Sequence, residues 1–341
     1  MPFDQIRGQE KAIAILRNAL GNNRLAHAYL FIGPEGVGKR LTALTLAKAM
    51  NCQSPPEAGD CCEKCPSCIK VNSSNHADVI AVEPEGEFIK IDQVREIQKR
   101  LRFRPMEGGR RACIIDSADL MKAEASNALL KILEEPPRDT HLFLMTSRPH
   151  QLLSTILSRC QWIKFKPLSQ PDIAQILKKA RGLDEEKAHF YASLAGGSAG
   201  QAVSLSARVD FQKRLDWLQV FSNLPQKSTE EVFETCERMA KEEEEIGDLL
   251  DLWKIWVRDL TVFKVQGNRT TEGLINHDLL SVVEKDAAES SFDRLEGIFS
   301  LISEVQRSLA YNVNKQLALE TLMLEIKKET PWDPDEHRFS G

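Results

Sequence analysis

The sequence contains no apolar run that approaches a membrane span, and its opening residues, Met1-Pro2-Phe3-Asp4-Gln5, lack the basic and apolar regions of a signal peptide. From those two absences a cytoplasmic protein is the expectation, with no membrane among its partners. An excess of positive charge is also missing. Lys and Arg number 45 against 50 Asp and Glu, a formal net charge of −5, which excludes nucleic-acid binding by global charge and leaves only a local basic face. No internal repeat is visible, so no repeat array is expected. What remains is a globular balance, 42% apolar and 28% charged, in 341 residues, long enough for two or three domains.

A glycine-rich stretch organises the chain: Gly33-Pro34-Glu35-Gly36-Val37-Gly38-Lys39-Arg40. It lies between an apolar strand, Ala28 to Ile32, and an Ala/Leu-rich helix, Leu41 to Met50. A turn of this kind aims backbone N–H groups at phosphates, and the helix N-terminus adds positive potential. Gly33, Gly36, Gly38 and Lys39 are therefore candidate nucleotide contacts for ATP or ADP. The residue after the lysine should be Ser or Thr, whose hydroxyl ligates the magnesium ion, but here it is Arg40. A guanidinium has no lone pair for a metal. The alternative is a glycine turn that binds nothing.

Five of the eight cysteines fall between Cys52 and Cys68, a density that in a reducing compartment points to a metal before disulfides. Cys62, Cys65 and Cys68 keep a two-residue spacing, and Cys52 supplies a fourth thiol across a short loop. Four thiolates suit a closed, structural zinc site. Cys61 is a spare that competes with Cys62, and unrelated free thiols are the bland alternative.

Strands and helices alternate through residues 1–165. An amphipathic helix covers 8–20, strands are expected at Ala77 to Val82, Arg111 to Asp116, Leu142 to Thr146 and Gln161 to Phe165, and helices at Ile91 to Leu101, Ala125 to Glu135 and His150 to Leu157. That order predicts a doubly wound parallel α/β sheet. Asp116 ends its strand where a metal-orienting carboxylate belongs. Ser117 then stands where a water-polarising Glu is needed, and a serine is no carboxylate base. Asp119 comes too late to replace it. The basic stretch Lys99, Arg100, Arg102, Arg104, Arg110 and Arg111 is either a solvated face or a DNA phosphate contact. Beyond Pro167, short helices with a Gly196-Gly197 break suit a small lid at 167–207. Apolar spacings of three and four predict a helical bundle over 208–330 with Trp253 and Trp256 in its core. Glu242 to Glu245 is expected on a solvated helix face, and 331–341 as a loose tail.

Three stretches together, Asn127-Ala128-Leu129-Leu130-Lys131-Ile132-Leu133-Glu134-Glu135-Pro136-Pro137, Ser158-Arg159-Cys160 and the cysteine cluster, resemble the bacterial clamp-loader AAA+ family. The resemblance spans nearly the whole chain. It implies an AAA+ core at 1–166 carrying a zinc module near 52–70, a helical lid, and an all-α C-terminal collar that oligomerises. It implies as partners the gamma/tau and delta subunits of the DNA polymerase III clamp loader, and through the assembly a sliding clamp and primed DNA. It also implies that Arg159 is an arginine finger acting in trans on a neighbour's ATP site; the bland reading of Arg159 is a surface ion pair. A motor subunit of that family has Ser or Thr at 40, Glu at 117 and a sensor arginine near 197–201. This chain has Arg40, Ser117 and Gly197-Ser198-Ala199-Gly200-Gln201. A non-hydrolysing subunit is the reading that follows. Its rivals are an active gamma/tau-like ATPase and, more weakly, a DNA-binding zinc finger, which the missing histidine pair disfavours.

Overall fold

The computed structural model describes residues 1–107, 109–208, 210–241, 246–267, 273–309 and 313–328. The expectations for Glu242 to Glu245 and for 331–341 lie outside the described residues. Two compact units emerge, Met1–Val203 and Ser204–Gly341.

In the first unit α1 (Glu10–Gly21) leads to β1 (Ala28–Ile32), α2 (Lys39–Asn51), α3 (Pro66–Asn72), β2 (Val79–Val82), α4 (Ile91–Leu101), β3 (Arg111–Ile115), α5 (Ala123–Glu134), β4 (Thr140–Thr146), α6 (Ser154–Leu157) and β5 (Gln161–Lys164). The five strands form one parallel sheet in the order β2-β3-β4-β1-β5. Alternate side chains of a strand face opposite ways, and both ways are apolar here. Tyr29, Phe31, Phe143 and Met145 meet Leu16 of α1 and Leu46 of α2, while Leu30, Leu142 and Leu144 meet Val94 and Ile97 of α4 and Leu129 and Leu133 of α5. Helices thus cover both faces, the doubly wound α/β arrangement that the alternation of strands and helices predicts. Because β4 lies between β1 and β3, the loop after β1 and Asp116 after β3 meet at the carboxyl edge of the sheet, where a strand-order reversal opens a crevice.

The expected helix over 150–157 is two short pieces. A 3₁₀ turn, Pro149–Gln151, gives way to extended Leu152 and Leu153 before α6 begins. Leu152 is buried in the cluster formed with α5, a packing gain that outweighs local helix propensity. Past Pro167 come α7 (Gln170–Arg181), α8 (Glu185–Leu194) and α9 (Ala199–Arg208). Ser169 and Asp184 cap α7 and α8, accepting N–H bonds from Asp172 and Lys187.

The second unit is helical: α10 (Phe211–Asn223), α11 (Thr229–Ala240), α12 (Ile246–Val265), α13 (Leu280–Glu289), α14 (Phe292–Leu309) and α15 (Lys315–Lys327). Trp253 and Trp256 are fully buried, and each indole finds an acceptor: the Trp217 carbonyl at 3.0 Å and Asp286 Oδ2 at 3.1 Å. Leu317, counted among the bundle's apolar positions, is 58% exposed, whereas Leu319 of the same helix is buried. Among the described residues no helix is long and apolar enough to cross a membrane.

Asp286 offers a test of this core. Burial pushes its carboxyl above the ordinary value of 3.8, against the hydrogen bonds from Ser222 and Trp256. An acid with a raised folded pKa costs no extra stability below pH 3.8, and its ionisation then penalises the fold as pH climbs through the raised value. The stability of Asp286→Asn relative to the parent should therefore rise between pH 4 and pH 7. Urea melts that keep a constant difference across that range would contradict the assignment.

Candidate phosphate loop, exposed arginine and cysteine centre

The loop Gly33–Arg40 leads into α2, which starts at Lys39, two residues earlier than its composition indicates. Gly36 and Gly38 have φ of +70° and +100°, a region where a side chain is strained. A Cβ at Gly36 would also lie 2.2 Å from Ser198 Oγ and 3.0 Å from the Gly200 nitrogen. This is a direct backbone contact: the Gly200 N–H donates to the Gly36 carbonyl at 3.0 Å. The start of α9 thereby sits on the loop.

Lys39 donates to the loop's own Gly33 and Pro34 carbonyls, both at 2.6 Å. Burial lowers its pKa, while Asp116, Glu35 and Asp119 act the other way. Arg40 is ion-paired with Glu83, just beyond β2. It is the loop's second cation and supplies no metal ligand. At the crevice, Asp116 Oδ1 accepts its neighbour Ser117's N–H at 2.9 Å, and Ser117 itself has φ +50°. Asp119 Oδ1 accepts the Thr146 hydroxyl at 2.6 Å, which ties this carboxylate to the end of β4. The cavity here measures about 590 Å³ and is bounded by Gly36, Lys39, Asp116, Ser117 and Gly200. Its size and backbone donors fit a nucleotide; Asp116 stands at its wall, while Arg40 brings no metal ligand and Ser117 no carboxylate. Neither the Arg40 pair nor the Gly36–Gly200 contact left a signal in the sequence.

Arg159 follows α6 at the lip of β5. Its Nη1 donates to the Thr155 carbonyl at 3.0 Å and its Nη2 to Glu134 Oε1 at 2.9 Å, at the end of α5. The side chain is about a third exposed and Glu134 about half. The surface ion pair is thus present, and an exposed pair of this sort is worth only about 0–1 kcal/mol. Such a tether orients the guanidinium without committing it.

The basic stretch divides. Lys99 and Arg100 pair with Glu96, and Arg102 and Arg104 are exposed. Arg111 belongs to neither proposed surface, since it is buried and paired with Asp78 at 3.3 Å.

The sulfurs of Cys52, Cys62, Cys65 and Cys68 all lie within 4.8 Å of one another. A tetrahedral site with Zn–S bonds of ~2.3 Å needs sulfurs ~3.8 Å apart, so a small contraction completes it. Backbone N–H groups already support thiolates: Cys62 N–H points to Cys52 Sγ and Cys65 N–H to Cys62 Sγ, both at 3.3 Å. The N–H groups of Lys64 and Cys65 bring the Cys62 thiol down to about 6. Cys61 lies outside the group. Its thiol donates to Glu63 Oε1 at 3.3 Å, away from the four converging sulfurs, and burial together with that carboxylate pushes it up to about 12. The donor set fits zinc held by Cys52, Cys62, Cys65 and Cys68, with no position left for substrate.

Residues 8–169 match the family profile described as DNA polymerase III, delta subunit, and residues 209–328 the profile of its C-terminal part. Over 94% of its length the chain is 33% identical to DNA polymerase III subunit delta′ of Bacillus subtilis (strain 168), covering 96% of that protein. The delta′ subunit of Pseudomonas aeruginosa is 31% identical over 89% of the chain, which covers 93% of it. The tau subunit of Bacillus subtilis is 30% identical over 86% of the chain, which spans only 54% of that longer protein. Both delta′ proteins are matched nearly end to end, and the chain belongs to the delta′ family of DNA polymerase III subunits.

Proposed function

We propose that this chain is a non-hydrolysing clamp-loader subunit that lends Arg159 to the ATP site of a neighbouring gamma/tau subunit while the assembly, with a delta subunit, loads a sliding clamp on primed DNA in the cytoplasm. The observation that carries the reading is the state of its own loop: Arg40 occupies the metal-ligand position and is turned to Glu83, while Asp119, the nearest spare carboxylate, is engaged by Thr146. Hydrolysis needs magnesium, a positioned water and compensating charge together. The hydroxyl that ligates magnesium and the carboxylate that positions water are both missing, with Asp116 alone left at the metal position, so the contribution assigned to this chain is the exposed guanidinium. Gly33, Gly36, Gly38 and Lys39 still make a site for ATP or ADP that would serve assembly rather than chemistry, and the cysteine centre would hold structural zinc.

The purified chain, alone with ATP and magnesium, should show no turnover above the uncatalysed background. A measurable rate abolished by Lys39→Ala would overturn the reading in favour of an active gamma/tau-like ATPase.

A further inference from the structure

Between α4 and β3 the chain exposes Phe103 at 73% and Met106 at 79%, flanked by the cations Arg102 and Arg104. Large apolar groups held in water on a connecting segment require a framework, because ordering each residue costs about 1–2 kcal/mol of backbone entropy. The framework is a buried ion pair. The Arg111 guanidinium donates to the carbonyls of Arg100 and Phe103, each at 2.9 Å, and of Arg104 at 3.0 Å. Its partner Asp78 accepts the N–H groups of Met106 at 2.8 Å and Glu107 at 2.9 Å.

Three links run from this framework to the cysteine module. Ser67 of α3 bonds His76 Nε2 at 3.0 Å, and His76 Nδ1 accepts the Asp78 N–H at 3.1 Å. Lys70 of α3 pairs with Glu107 at 2.9 Å. Asn51, next to Cys52, exchanges two hydrogen bonds of 2.8 Å with the backbone of Arg110. The helix that carries two of these links has seven residues, too few to persist by propensity, and the Cys68 N–H of its first turn is directed at Cys65 Sγ at 3.5 Å.

We infer that the cysteine module is the buttress of the Arg102–Glu107 segment, so that metal occupancy sets the order of a surface that contains no ligand. The inference rests on the zinc reading of Cys52, Cys62, Cys65 and Cys68, and its test separates the two. Zinc in the full-length chain, purified without chelator, is counted by elemental analysis; amide hydrogen exchange is then followed before and after its removal. Bound zinc should be present, and its removal should speed exchange at Met106 and Glu107 at least about tenfold while the amides of β4 and α12 keep their protection. The double variant Ser67→Ala/Lys70→Ala, which keeps every cysteine, should retain zinc and show the same acceleration at Met106 and Glu107. Absence of bound metal overturns the zinc reading and the coupling with it. Bound metal whose removal leaves Met106 and Glu107 protected overturns the coupling alone, as does a loss of protection spread equally over β4.

Discussion

Replacing Arg159 with alanine should lower ATP turnover by a clamp loader assembled with this chain about 10³-fold or more, the span observed when a finger arginine is withheld from developing phosphoryl charge. The isolated chain should fold and assemble as before. Its charged partner among the described residues, Glu134, is half exposed, and deleting an exposed pair costs at most about 1 kcal/mol. Arg159→Lys separates charge from shape: lysine keeps the cation but loses the planar fork, so most of the defect should persist. Glu134→Gln, which frees the guanidinium, should leave turnover near the parental value. The measurement is steady-state phosphate release from reconstituted complexes matched for assembly by size exclusion. Unchanged turnover in Arg159→Ala would remove the trans role and leave the ion pair as the side chain's whole purpose.

Cys68→Ser should abolish zinc binding and melt the segment from Cys52 to Asn72, whereas Cys61→Ser should keep the full metal content. The contrast follows from position. Cys68 is one of the four converging sulfurs, and Cys61, equally buried, is bonded to Glu63 outside them. Structural zinc contributes about 10–16 kcal/mol in small zinc-binding peptides, as much as the whole stability of a typical domain, about 5–15 kcal/mol. Nothing in a seven-residue helix can offset that loss. Limited proteolysis between residues 52 and 72, read beside metal content, checks it. Retained zinc in Cys68→Ser with loss in Cys61→Ser would reverse the ligand assignment.

Much of this was legible because burial on two faces writes itself as unbroken apolar runs. β1 and β4 are such runs, and the prolines after Glu135 marked the end of α5. The cysteine set was legible from spacing alone, and the choice between Cys61 and Cys62 was open only because adjacent residues differ in direction, which spacing does not encode. Arg111 was the harder case. Its neighbours made it part of a basic surface, and only the fold brings Asp78 beside it from the turn before β2. The 150–157 segment was misjudged for a related reason: its apolar residues are spaced for a helix, yet Leu152 is drawn into a sheet-side cluster.

On the proposed non-hydrolysing reading, the meeting of Gly36 with Gly200 decides how hydrolysis could be gained. Any side chain at 200 would place its Cβ 2.9 Å from the Gly36 Cα, so an arginine cannot enter that position until the start of α9 backs away from the loop. Reverting Arg40 and Ser117 would then restore ligands to a crevice still closed at its third corner. On that reading a backbone contact, and not side chains alone, stands between this chain and hydrolysis, and any route to an active site must give up the contact first.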